Sequence, residues 1–196
     1  MNLGLPPLPP APGTTAGRPA ADVLAAEHRE LAALCAALAE PDLPARRRRD
    51  LTDVLTATAA RHLSAEAQYL YPAVRAGVPD GAALADREIA ATRDLLDALR
   101  TGEGRAEKLR RHAYATAGLL DRLRAVASAE ELVRLGNRIE TAEEAAPTRP
   151  HPGAPAAPWN KVTDPAIGLV DRLRDAVTGR PTRSETLSRR YVTRLF

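Results

Sequence analysis

The chain has 196 residues, of which 44% are hydrophobic but only 3% aromatic, so a single domain with tails must build its core from Leu, Val and Ala. Its formal net charge of +3 is too small to indicate a nucleic-acid partner, and its single cysteine excludes a disulfide framework. No stretch approaches the roughly 20 apolar residues of a membrane span, and the N-terminal segment lacks the features of a signal peptide. We therefore expect a cytoplasmic protein that does not bind membranes.

Helix-forming residues dominate the chain from residue 20 onward, after a segment (1–19) whose Pro and Gly content predicts disorder. The second helical pattern should end before Pro72, because proline cannot continue a regular helix. Short turns make consecutive helices antiparallel, so we predict an all-α fold, an up-down-up-down four-helix bundle. Its helices are separated by Pro- or Gly-containing turns and span about 20–40, 44–71, 82–99 and 105–126.

A helical extension follows the bundle. Ser128 and Glu131 have the spacing of a capping box, which predicts a further helix or a jointed continuation of the fourth, so that bundle and extension together cover 20–146. Three segments come after it: a Pro-rich extended connector (147–162), a C-terminal helix docked on the bundle (163–179) and a basic, flexible tail (180–196).

Histidines and a carboxylate interrupt the apolar stripes of the predicted bundle helices. His62 and Glu66 lie one turn apart on the second stripe, and His28 and His112 lie on the first and fourth. A single histidine on such a stripe is usually a core residue bonded to a backbone carbonyl. Three of them beside a carboxylate must find one another, water or a cation, because each unpaired buried group costs about 1–3 kcal/mol. The spacing suits iron, zinc or manganese, and a metal site and a water-linked polar core both remain open.

Five segments, in this order, resemble the hemerythrin-like (HHE) cation-binding family, in particular its actinobacterial members. The resemblance covers roughly residues 20–180 and implies a four-helix bundle around a non-haem iron site, usually di-iron. Members bind dioxygen, respond to nitric oxide or redox state, sense iron or act on peroxide. The segments are "DVLAAEHREL", "RHLSAEAQYLYPAVR", "LADREIAATRDLL", "LRRHAYATAGLLDRLR" and "PTRPHPGAPAAPWNKVTDPAIGLVDRLRDAVTGR".

When the family's ligand positions are matched to this sequence one by one, the resemblance implies four metal ligands: His28, His62, Glu66 and His112.

The chain departs from the family's usual ligand set at two positions. Thr92 stands where the family has a histidine, and Thr116 stands where it has a glutamate, so both are predicted to be vacated ligand positions that line the pocket. A hydroxyl is a poor iron ligand compared with imidazole or carboxylate. The resemblance therefore implies an incomplete di-iron set that holds one iron or a lopsided pair. Glu88, one turn before Thr92, is a candidate additional ligand or neighbour of the ligands, and Tyr69 is a candidate pocket residue.

The leading interpretation is an iron-binding protein that acts on dioxygen, nitric oxide or peroxide. Its role would be to bind or sense these molecules or to carry out oxidative chemistry with them. Whether it is an enzyme, and its oligomeric state, stay open. Two alternatives are a degenerate, metal-free scaffold or interaction module, and a bundle whose pocket binds haem or an organic ligand. The arginine run "ARRRRD" (45–50) is interpreted as a solvated helix face and not as a nucleic-acid site, since no aromatic residues interleave it.

Overall fold

The computed structural model describes residues 16–149 and 160–192, and all regular secondary structure within them is helical. The predicted disorder of residues 1–15 and the predicted extended form of residues 150–159 lie outside this part of the chain. The helices are α1 (Ala20–Leu38), α2 (Ala45–Ala65), a π-helical turn (Glu66–Leu70), α3 (Tyr71–Gly77), α4 (Gly81–Thr101), α5 (Arg105–Arg124), α6 (Ala129–Ala145), α7 (Asn160–Thr178) and α8 (Ser184–Val192).

The helices form the predicted all-α bundle with a C-terminal extension. Helix α1 packs against α2 and α5, and α4 packs against α3 and α5, so α1, the α2–α3 rod, α4 and α5 enclose the centre. Helix α6 covers α1 and α2 from outside, and α7 lies on α6. The capping box at the start of α6 is confirmed, because the Ser128 hydroxyl accepts from the Glu131 N–H while the Glu131 carboxylate accepts from the Ser128 N–H.

The second bundle helix does not end before Pro72, as its sequence predicted. The chain continues to Gly77, because a π-helical turn interrupts the α-helix just upstream of the proline. In this turn the Tyr71 N–H bonds to the Glu66 carbonyl, five residues back. The wider turn resets the hydrogen-bond ladder, so that Pro72 falls in the first turn of α3, where its missing N–H costs little.

The hydrophobic core consists of two clusters with a polar layer between them. One cluster includes Leu24, Leu70 and Leu119, and the other includes Leu31, Leu63, Leu95 and Leu109. Each bundle helix contributes to both clusters and carries polar side chains at the boundary between the two. This arrangement positions the site in the middle of the bundle, sealed by apolar side chains at both ends.

The C-terminal extension is fastened by buried carboxylates on α7. Asp171 accepts hydrogen bonds from the backbone N–H groups of Thr148 and Arg149, and Asp175 pairs with the Arg149 guanidinium at 2.6 Å. Arg180 joins the same network and reaches Asp53 on α2 at 2.9 Å. Helix α7 begins at Asn160, inside the segment that the sequence predicted as extended connector.

Part of the basic tail is helical, where the sequence predicted a flexible terminus. Residues 184–192 form α8, which packs on α2. The Tyr191 hydroxyl donates to Asp50 at 2.9 Å, and Leu187 is buried in one of the two core clusters. The basic composition suggested a flexible segment, but acidic and apolar side chains on α2 pair with those of α8 and stabilise the helix.

In the described residues, no helix combines the length and the apolar character that crossing a membrane requires.

Candidate metal centre

Three histidines and one glutamate converge in the polar layer between the two core clusters. His28 comes from α1, His62 from α2, Glu66 from the π-helical turn and His112 from α5. One ligand atom from each lies within 4.8 Å of those of the other three. His62 and Glu66 are completely buried, with 0% exposure. The four side chains that the sequence singled out as metal ligands therefore lie together.

The nitrogen and oxygen atoms face one another at short range. His112 Nε2 lies 3.1 Å from His62 Nε2 and 3.1 Å from Glu66 Oε2, and His62 Nε2 lies 3.5 Å from Glu66 Oε1. The three imidazole rings meet edge to face, with centroids 4.7–5.4 Å apart. His28 Nε2 is buried and has no hydrogen-bond partner.

Burial and the charges of neighbouring histidines act in the same direction on the pKa of His28 and in opposite directions on the pKa of Glu66. Burial, together with the neighbouring His62 and His112, lowers the pKa of His28 to about 3, so its ring is neutral around neutral pH. Burial alone would raise the pKa of Glu66, but His112 and His62 outweigh it and hold that pKa well below its usual range. The surrounding imidazoles therefore keep the buried Glu66 carboxylate ionised.

Hydroxyl groups complete the surroundings of Glu66. The Tyr71 hydroxyl donates to Glu66 Oε2 at 2.9 Å, and the Thr116 hydroxyl donates to Glu66 Oε1 at 3.2 Å. The Thr92 hydroxyl lies 3.2 Å from that of Tyr71. Both threonines are buried beside the cluster, where the sequence placed them. Their hydroxyls take part in hydrogen bonds, that of Thr116 with Glu66 and that of Thr92 with Tyr71.

Tyr71, rather than Tyr69, brings a phenol to the site. The π-helical turn is the reason, because it places residue i+5 above residue i, whereas a regular helix does so for i+4. Tyr69 is half-buried and packs against an apolar cluster. The sequence signal that could have revealed this is Pro72 itself, since a proline inside a strong helical pattern indicates a distortion just before it.

Glu88 is not among the four converging residues. It is half-buried on α4, and its interactions with the cluster are electrostatic, with His112 and Glu66. Burial raises its pKa, which His112 partly offsets.

A pair of carboxylates lies behind His62 and was missed from the sequence. His62 Nδ1 lies 2.7 Å from Glu27 Oε2 on α1 and 3.8 Å from Glu143 Oε1 on α6. The two carboxyl groups hydrogen-bond to each other, and burial is the main cause that raises the pKa of both. No sequence motif indicates this pair, because Glu143 is 81 residues beyond His62 and the sequence does not predict where α6 packs.

The outer side of this pair faces a cavity of about 450 Å³. Its walls come from α1, α2, α6 and the C-terminal segment, and they include Glu30, Arg61, Glu140 and Arg183. Arg61 is anchored there, donating to Thr58 Oγ1 and to the Thr182 carbonyl. Glu27 and Glu143 therefore separate the central cluster from a polar cavity.

The central residues fit a bound cation. Ligand atoms that share an ion at about 2.0–2.2 Å lie roughly 3 to 4.4 Å from one another, which is the range of the distances above. Two imidazole nitrogens 3.1 Å apart require a proton or a cation between them, since two lone pairs repel. The unpartnered His28 nitrogen is a further lone pair in the same cluster. A helical bundle with a buried His₃Glu cluster defines the class of cation-binding helical proteins.

Comparison with known families agrees with this class. The profile of the hemerythrin HHE cation binding domain matches residues 20–134, which is more than half of the chain. The chain belongs to the hemerythrin HHE family, as its sequence motifs predicted. No curated protein and no solved structure matches the chain in the corresponding comparisons.

Proposed function

We propose that the protein binds one iron ion per chain through His28, His62, Glu66 and His112, and that it uses this ion to bind dioxygen, nitric oxide or peroxide. The observation that carries the proposal is the convergence of these four side chains, with ligand atoms within 4.8 Å of one another, in the polar layer between the two apolar clusters. Membership in a cation-binding family supports the same residues as ligands. Imidazole and carboxylate are ligands that iron accepts.

The neighbouring hydroxyls support one ion in preference to two. Thr116 and Tyr71 occupy both oxygens of Glu66 with hydrogen bonds, and Thr92 supplies only a hydroxyl. A second ion would need further imidazole or carboxylate ligands. The other carboxylates near the cluster are Glu88, Glu27 and Glu143, and none of them lies among its four converging residues. Glu27 and Glu143 lie on the Nδ1 side of His62, away from Glu66 and His112.

When bound, iron supplies an open coordination position for a small ligand and the capacity for electron transfer. The chain's own residues shape that position. The apolar clusters above and below exclude bulk water, and the hydroxyls of Tyr71, Thr92 and Thr116 are the polar groups available to orient a small polar ligand. These features support oxygen or nitric oxide binding, sensing or oxidative chemistry as the role of the protein.

Metal content tests the proposal. The metal-free full-length protein is incubated with ferrous ion under argon, desalted and assayed for iron and protein. We expect about one iron per chain. Two irons per chain would overturn the single-ion site, and no uptake of iron, manganese or zinc would overturn metal binding and favour a metal-free scaffold.

Two alanine variants of neighbouring buried residues separate ligation from packing. His62→Ala should abolish iron uptake, because it removes a ligand from a site with only four. Leu63→Ala, which truncates a core residue next to it, should lower stability by about 2–5 kcal/mol and leave the iron content unchanged. Equal iron loss in both variants would mean that the cluster depends on packing alone.

Small-ligand binding has its own test. Nitric oxide added to the ferrous protein should produce new visible absorption bands, and the metal-free protein should produce none. An unchanged spectrum in a protein that holds iron would remove gas binding from the proposal while leaving metal binding intact.

A further inference from the structure

The carboxylates behind His62 determine which of its ring nitrogens faces the central cluster. A neutral imidazole has one N–H, and the partner of one nitrogen fixes the role of the other. Glu27 Oε2 lies 2.7 Å from Nδ1, and a carboxylate can only accept. The hydrogen therefore resides on Nδ1, which leaves the lone pair of Nε2 directed at His112 and Glu66.

Glu27 is itself held by Glu143. One oxygen of each carboxyl group and one ring nitrogen of His62 lie within 4.8 Å of one another, so Glu143 is positioned to hydrogen-bond to Glu27. Glu143 Oε1 has no hydrogen-bond partner and lies 3.8 Å from His62 Nδ1. On the Nδ1 side of His62 it is the second carboxyl group after Glu27.

Glu143 lies outside the part of the chain that the family profile matches. Helix α6 continues beyond residue 134, where the match to the family profile ends, and Glu143 lies nine residues further on. The extension packs on α1 and α2, and Glu143 lines the cavity together with Glu27. The structure thus joins a helix outside the matched region to a proposed ligand inside it.

We propose that Glu27 is a positioning residue of the metal centre: it accepts the Nδ1–H of His62 and so presents Nε2 to the ion, while Glu143 from α6 holds Glu27 in place. This inference rests on the proposed function. Carboxylate partners of this type increase the basicity of a ligating histidine and fix its orientation, and their loss lowers metal affinity by about tenfold to a hundredfold.

Two readouts test the proposal, and one of them needs no metal. In metal-free protein labelled with ¹⁵N-histidine, long-range ¹H–¹⁵N spectra report which nitrogen of His62 carries the hydrogen, with His62 assigned from the signals lost in His62→Asn. We expect the wild type to hold it on Nδ1. Glu27→Gln keeps the shape but offers a weaker, neutral acceptor and a competing N–H donor, so the Nδ1–H fraction should fall.

The second readout is the dissociation constant for ferrous ion under argon. It should rise about tenfold to a hundredfold in Glu27→Gln, and less in Glu143→Gln. Glu30→Ala is the matched control, because Glu30 lies on the same helix and lines the same cavity but bonds to Ser184 instead of His62. Glu30→Ala should leave both readouts unchanged.

The outcomes separate the two proposals. An unchanged His62 tautomer in Glu27→Gln, or an affinity within twofold of the wild type, overturns the positioning role. An effect of equal size in Glu30→Ala also overturns it, because the cause would then be the net charge of the cavity. A wild-type protein that takes up no metal, yet shows the tautomer change, overturns the proposed function and leaves only the control of His62 by Glu27.

Discussion

Replacing Tyr71 with phenylalanine tests whether the π-helical turn holds Glu66 in place. The Tyr71 ring is 1% exposed, so phenylalanine keeps its packing and removes a single oxygen atom. That oxygen donates to Glu66 Oε2 at 2.9 Å and lies 3.2 Å from the Thr92 hydroxyl. The change therefore isolates two hydrogen bonds, one of them to a buried carboxylate.

The expected loss of stability follows from the kind of bond removed. A hydrogen bond to a charged group contributes about 1.5–3 kcal/mol, and Glu66 would keep only Thr116 and His112 as donors. Little cavity is created, so no further packing cost is added. We expect the free energy of unfolding of the metal-free Tyr71→Phe protein to be about 1.5–3 kcal/mol lower than that of the wild type. For a chain of this size, this corresponds to a melting temperature about 3–12 °C lower.

Urea unfolding followed by circular dichroism measures this difference. Tyr114→Phe is the matched control, since Tyr114 is 85% exposed on α5, and it should change the free energy of unfolding by no more than about 0.5 kcal/mol. A Tyr71→Phe protein as stable as the control would refute the idea that the turn serves to bring this phenol to Glu66.

Two further predictions concern pH and close packing. Burial raises the pKa of Glu143 from 4.5 to about 9, so the folded state holds a proton that the unfolded state has lost, and the free energy of unfolding of the metal-free protein should fall as pH rises from neutrality to about 9. Glu143→Gln should flatten that slope in urea unfolding at several pH values, and an unchanged slope would contradict the assignment. Gly136→Ala should destabilise the protein by about 1–3 kcal/mol, because a Cβ there would lie 2.1 Å from the Arg18 carbonyl oxygen. Gly118→Ala, with open space around it on α5, should instead stabilise the protein by about 0.5–1 kcal/mol, and thermal unfolding that shows the same sign for both would refute the packing argument.

Helical spacing predicted the meeting of the four central residues because all four lie on regular core-facing stripes. His62 and Glu66 are one turn apart on one helix, and the others occupy equivalent stripes of neighbouring helices. In a bundle with short turns, such stripes can only face one another. Local pattern and overall fold agree here, which is why the sequence was sufficient.

The sequence failed where the geometry departed from a regular helix or depended on distant packing. Tyr71 reaches Glu66 through a π-helical turn, whose extra residue shifts every later side chain around the axis. Glu27 precedes His28 by one position, and its contact with His62 depends on the close approach of α1 and α2. The basic composition of the α8 segment predicted a flexible tail. The segment is helical because Asp50 and the apolar surface of α2 stabilise it.

The charge of the central layer is a separate argument for a single ion. Imidazoles bind metals in their neutral form, so His28, His62 and His112 add no charge, and Glu66 supplies one negative charge. Glu27, the carboxylate beside His62, supplies a second negative charge, so one divalent ion would leave the site neutral, whereas two would leave about +2 in a region flanked by apolar clusters on both sides. Uncompensated charge in a low-dielectric interior costs several kcal/mol per ion, and the hydroxyls at positions 92 and 116 cannot offset it. Thr116 therefore does more than remove a ligand: it stands where the family has a glutamate, so it also removes a negative charge that a second ion would require.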